Sequence, residues 1–180
     1  PVCASVHHSV AGDVIVYGKP DLHDLLGVTS IDGSLTIDAV GLSHVRIPDL
    51  ETVTGSLTCG AGPHDSCGQT VLALPWLGSI EDVTVHAPQL LSLDLTRLHT
   101  AHDFDIEGTP TGFSLALPSL TTCNILGIYW GKVATLDAPV LQACGVELAV
   151  QELTTVALPA LATGGFNAQF SDVETVSLPA

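Results

Sequence analysis

Methionine is absent from this 180-residue chain, and aromatic residues make up only 4% of it. A wide core built on rings is therefore excluded, although 46% of the residues are apolar. Val, Leu, Ile and Ala must fill the interior, which suits a narrow one. Positive charge is scarce as well. Lys19, Arg46, Arg97 and Lys132 stand against 19 acidic residues, for a net charge of −15. That balance argues against nucleic acid and against anionic membrane surfaces as partners. No apolar run approaches the length of a membrane-spanning helix, so no membrane insertion is expected. No signal peptide stands at Pro1. The expectation is a secreted chain from which one has been removed.

What the chain does have is a repeat. The stretch from Gly33 to Thr58 begins and ends with Gly-Ser-Leu-Thr. A fixed period of this size marks a solenoid or array. One column of small or turn-forming residues falls at Asp13, Ser34, Ser56, Asp82, Asp103, Asn124, Gly145 and Gly165, with spacings of 21, 22, 26, 21, 21, 21 and 20. A second column is a Leu-Pro-x-Leu box. It appears as Ile47-Pro48-Asp49-Leu50, Leu74-Pro75-Trp76-Leu77, Leu117-Pro118-Ser119-Leu120, Ala138-Pro139-Val140-Leu141 and Leu158-Pro159-Ala160-Leu161. Leu95-Thr96-Arg97-Leu98 is the same box without proline, and Leu178-Pro179-Ala180 is a truncated copy.

Each first-column residue opens a short alternation of period two, the pattern of a half-buried strand. Val14, Leu35, Leu57, Val83, Phe104, Ile125, Val146 and Phe166 are assigned to the inside. Thr36, Thr58, Thr84, Asp105, Leu126 and Glu147 are assigned to the outside. Proline donates nothing to a sheet ladder, so its recurrence marks a corner. The fold expected is all-β: a right-handed β-solenoid of about eight coils of 20–22 residues. Residues 1–12 are a lead-in and 13–180 a single solenoid domain, with an insertion loop over 60–69 and an incomplete last coil. Within Lys19–Gly27, Asp21 as a cap, helical spacing of Leu22, Leu25 and Leu26, and Gly27 as a stop predict a short capping helix.

Five cysteines are present. Cys59 and Cys67 bracket the insertion, and a disulfide closing it is the natural reading. Cys123 and Cys144 hold the same position in successive coils, within disulfide reach of each other. Their bland alternative is a pair of small buried hydrophobes. Cys3 is left over, to stay free, to pair with another chain or to displace one of these pairings. Disulfides imply an oxidising compartment, so the chain is expected outside the cell or on its surface.

The segment Asp13–Ile37 and the run Leu50–Leu57 resemble the start of receptor L-domain-like, leucine-rich-repeat-like proteins. The residues that carry this are Asp21-Leu22-His23-Asp24-Leu25, Ile31-Asp32-Gly33-Ser34-Leu35-Thr36-Ile37 and Leu50-Glu51-Thr52-Val53-Thr54-Gly55-Ser56-Leu57. Similar repeats occur in secreted bacterial proteins, fungal cell-wall proteins and growth-factor receptor ectodomains. The resemblance implies a solenoid on the outside of a cell and names no ligand.

Candidate chemistry is sparse. His99 and His102 with Asp103, and His64 with Asp65, are the best local groups, but neither has the ligand set of a recognised zinc site. Asp103, Asp105 and Glu107 read as a solvated strand face. No catalytic residue, metal or cofactor is assigned. The function expected is a non-enzymatic structural or adhesive protein that contacts itself or another cell-surface protein or glycan. An uncapped C-terminal coil would allow head-to-tail filaments, with Phe166, Phe170, Val173, Val176, Leu178, Tyr129 and Trp130 as interface residues. The alternative is a ligand-binding module of a larger surface protein. Ice binding by the threonine ladder is a more distant reading.

Overall fold

The computed structural model describes residues 8–39, 41–60, 67–86, 88–170 and 174–178. Their architecture is a β-solenoid of about eight stacked parallel coils with almost no helix. One face is a continuous parallel ladder. Its strands are Val14–Val16, Leu35–Ile37, Leu57–Cys59, Asp82–His86, Asp103–Glu107, Thr122–Asp137, Ala143–Gln151 and Phe166–Phe170, each paired with the next. Shorter strands close the other faces. Phe113–Ala116, the far end of Thr122–Asp137, Thr155–Ala157 and Thr175–Ser177 form one of them. The buried residues make one apolar cluster running from Val16 to Leu158.

The corner chemistry is a β-turn. In four of the Leu-Pro-x-Leu boxes the last Leu N–H donates to the carbonyl of the first residue: Leu77 to Leu74, Leu120 to Leu117, Leu141 to Ala138, and Leu161 to Leu158. Proline at the second position presets the φ that this turn needs. Leu98 N–H donates to Leu95 in the same way. There Thr96 replaces proline, and Asp94 Oδ1 accepts from Thr96 N at 3.2 Å and Oγ1 at 2.6 Å. A side-chain clamp does the work of the ring.

The column of turn residues also has a physical cause. From Asp13 to Asn124 its side chains bond between neighbouring coils. Asp13 Oδ1 accepts from Ser34 N at 2.8 Å, and Ser34 Oγ from Ser56 N at 3.2 Å. Ser56 Oγ donates to Asp82 Oδ2 at 3.4 Å, and Asp82 Oδ1 accepts from Asp103 N at 3.2 Å. Asn124 Nδ2 donates to Asp103 Oδ1 at 2.9 Å. The ladder runs through the column to Asn124 and stops at Gly145, which has no side chain to continue it.

The glycine that opens each Gly-Ser-Leu-Thr copy is there for space. A Cβ on Gly33 would lie 2.5 Å from the carbonyl carbon and oxygen of Gly12. A Cβ on Gly55 would lie 3.0 Å from the same atoms of Gly33. Gly33→Ala must therefore push two coils apart. The expected loss is about 2 kcal/mol, read as a lower urea midpoint at unchanged slope.

Helix Lys19–Asp24 forms where the sequence places one. Asp21 Oδ2 accepts from Tyr17 N and Gly18 N at 2.7 and 2.9 Å, reaching back to the helix start. Gly27 takes φ +77° just beyond it, a conformation glycine adopts without penalty.

Two features differ from the sequence reading. Leu126 is fully buried and Ile125 is only half-buried, the reverse of the assignment above. Strand Thr122–Asp137 holds one extra residue at Cys123-Asn124: Thr122 pairs with Ala143, but Ile125 pairs with Gly145. A one-residue slip sends every following side chain to the other face. Leu126 thus stacks between Phe104 and Val146, and Gly127 takes the outward place between Asp105 and Glu147. Second, Cys67 and Gln69, within the expected 60–69 loop, are buried. Gln69 Nε2 donates to the Ala39 carbonyl at 2.8 Å, which lets a polar side chain sit inside.

Candidate functional site

Outward features gather around Tyr129 and Trp130, on strand Thr122–Asp137 of the main ladder. A second extra residue lies here, since Tyr129 pairs with Ala149 but Lys132 pairs with Gln151. This is a β-bulge, which re-aims side chains. Gly131 permits it, because a Cβ there would overlap Thr109 Oγ1. Thr109 fixes it. Its carbonyl and Oγ1 both accept from Lys132 N, each at 3.1 Å. Trp130 takes φ +52°, and its side chain is 79% exposed. Glu152, on the next coil, takes φ +63°, and its Oε1 lies 3.1 Å from Lys132 Nζ. Both left-handed residues carry a Cβ, which makes them uncommon. Beside them lies a groove of about 660 Å³ lined by Thr109, Trp130, Lys132, Gln151 and Gln169, among others.

Next to this groove runs a column of acidic side chains. Tyr129 folds over Gly127, and its hydroxyl donates to Glu147 Oε2 at 2.9 Å. Burial and this bond push the phenol from the usual 10.0 to about 12. Asp105 also lies against Gly127, and its Oδ1 is buried with no hydrogen-bond partner among the described residues. Burial, and then the neighbouring Asp103, Glu107, Glu147 and Asp82, raise its pKa above 3.8. An acid raised on folding binds its proton more tightly in the native state. Its penalty is complete above the raised value and vanishes as pH falls towards 3.8. Asp105→Asn is therefore expected to gain about 1 kcal/mol at pH 7, an effect limited by partial exposure. The gain should shrink in acid. Urea midpoints at neutral and acidic pH check both the sign and the trend.

His102 Nδ1 lies 3.3 Å from Asp82 Oδ1 and 3.6 Å from Asp103 Oδ2. Their ligand atoms all fall within 4.8 Å of one another. Both carboxylates already serve the inter-coil ladder, and His102 lies largely in solvent. His99 is not part of this group. His64 and Asp65 lie outside the described residues.

Cys59 is joined to Cys67 with Cα atoms 5.0 Å apart, and Cys123 to Cys144 at 4.7 Å. The second bond spans the Cys123-Asn124 bulge. Cys3 and Val173 lie outside the described residues, as does the side chain of Phe170.

The last coil presents a third feature. Val176 and Leu178 are 44% and 40% exposed, whereas Val156 and Leu158, one coil earlier, are 0% exposed. Val176 pairs with Val156 in register, so equal positions meet very different surroundings. Phe166 and Ala168 are half-buried against the core. Sequence periodicity alone could name these positions. It gave no signal for the bulge, for the groove, or for the stacking of Tyr129 on Gly127. Arg97 Cζ lies 3.5 Å over the Trp76 ring, a contact between equal box positions on neighbouring coils that the repeat alignment could have found.

Among the described residues no helix is long and apolar enough to cross a membrane. Comparison with known families, curated proteins and solved structures found no match to this chain.

Proposed function

We propose that this chain is a non-enzymatic structural protein of the cell exterior that self-associates into filaments. The observation that carries this is the regular parallel stack of about eight coils around one aliphatic core, with apolar side chains such as Val176 and Leu178 left 44% and 40% exposed on and beside strand Thr175–Ser177. A strand with apolar neighbours in water is a template for pairing with another chain, and a heterologous contact between copies propagates into a filament.

Two disulfides are compatible with an extracellular setting. The resemblance of Asp13–Leu57 to receptor L-domain-like repeats points to the same compartment. Four of the five cysteines are paired within the chain, which leaves Cys3 to link neighbours. The charge of −15 opposes self-association, so assembly should strengthen as salt rises.

Negative-stain electron microscopy of the native full-length protein tests this, across a salt series and with or without reductant. Regular fibres that lengthen with salt are the expected result. Isolated particles at high protein concentration and high salt would sink the proposal. Fibres that survive reduction would remove Cys3 from it.

A further inference from the structure

We propose that the groove beside the Trp130 bulge binds an uncharged glycan chain. The first reason is the indole. Trp130 stands at the groove with most of its surface in water, held there by a bulge and a left-handed backbone. Nothing in the packing of the core requires it outside. Backbone strain of this kind persists where the surroundings over-determine it, and it clusters at ligand sites.

The second reason is the polar lining. Gln151 and Gln169 come from successive coils, beside the paired residues Lys132 and Ala149. Neither amide has a side-chain hydrogen bond among the described residues. Each offers two donors and an acceptor. An exposed ring flanked by uncommitted amides suits a pyranose, whose C–H face packs on the indole and whose hydroxyls meet the amides. The groove's volume lies in the range of small-molecule sites.

Charge decides the ligand class. Lys132 is the one basic residue in the groove, and Glu152 Oε1 at 3.1 Å already matches it. The chain as a whole is strongly acidic. An acidic polysaccharide, nucleic acid or phosphate would meet repulsion with no free cation to offset it. A neutral glycan meets none. This site lies on the side of the solenoid and stands independently of self-association.

The test uses the native full-length protein, taken as its monomeric fraction. It is titrated calorimetrically with neutral hexasaccharides of β-1,4-glucose, β-1,3-glucose, β-1,4-N-acetylglucosamine and α-mannose, and with heparin as the polyanion. Indole fluorescence is followed in parallel in a Trp76→Phe background. The expected result is millimolar or tighter binding of at least one neutral chain. Trp130→Ala should weaken it about tenfold or more, and Gln151→Ala with Gln169→Ala should weaken it severalfold. Trp130→Gly separates binding from folding. It removes both the indole and the left-handed strain, so binding should vanish while the melting temperature rises. The proposal is overturned if no neutral chain binds, if heparin alone binds, or if Trp130→Ala binds as the parent does. It is also overturned if Trp130→Ala changes only side-by-side self-association.

Discussion

Leu126→Ala is expected to cost about 3 kcal/mol, and Ile125→Ala less than about 1 kcal/mol. The two residues are neighbours of similar size, so propensity cannot separate them. Register does. Leu126 is fully enclosed between Phe104 below and Val146 above. Removing its isobutyl group leaves a void in a narrow interior with few ways to collapse. Ile125 pairs with Asp103 and Gly145 and is only half-buried. Urea unfolding of both variants decides it. Equal losses, or a larger loss at Ile125, would mean that the extra residue does not sit at Cys123-Asn124.

Reducing the Cys123–Cys144 bond, or replacing both residues with alanine, is expected to cost about 3 kcal/mol. This follows from the entropy of a closed loop of its length, which spans a sequence separation of 21. The Cys59–Cys67 bond has a separation of 8 and should cost about 2.5 kcal/mol on the same reasoning. The longer loop also has a local role. It ties two coils together where the bulge interrupts regular pairing. Loss of the bond should therefore raise amide exchange first at Thr122, Ile125 and Ala143, before the ladder melts as a whole. Thermal unfolding of the double variant checks the magnitude. An unchanged midpoint would show that the sheet alone holds the bulge.

The parts of this fold legible in the sequence are those set by chemistry repeated in each coil. Leu-Pro-x-Leu names a buried, turned corner because proline fixes φ and leucine seeks the interior. Gly-Ser-Leu-Thr names the place where coils approach most closely, because only glycine leaves room. Even the hydrogen-bonded ladder from Asp13 to Asn124 was visible as a column, although its bonds were not. The helix at Lys19–Asp24 was legible from one capping carboxylate and one glycine.

The groove was not legible, and the reason lies in what a bulge is. An extra residue is defined only against the strand beside it. The spacings between Asp103, Asn124 and Gly145 look regular, yet the paired residues are Asp103, Ile125 and Gly145. The chain gains one residue at Cys123-Asn124 and another at Trp130-Gly131. The first inverted the faces of Ile125 and Leu126. The second turned Trp130 outward beside Gln151 and Gln169, residues distant in the chain. The crowding of Asp105 and Tyr129 over one position has the same origin, since Gly127 is the residue that pairs with Asp105 there.

By itself, then, the sequence determined the period, the corners, the narrow aliphatic core and the parallel stack, because each follows from local residue preferences repeated along the chain. The tertiary structure decided which side chains face water around the bulges, which groups share a surface and which polar atoms lose their partners. Those are relations between coils. Register is fixed by the whole stack of neighbours, and one inserted residue reverses a face without disturbing the pattern that announced it.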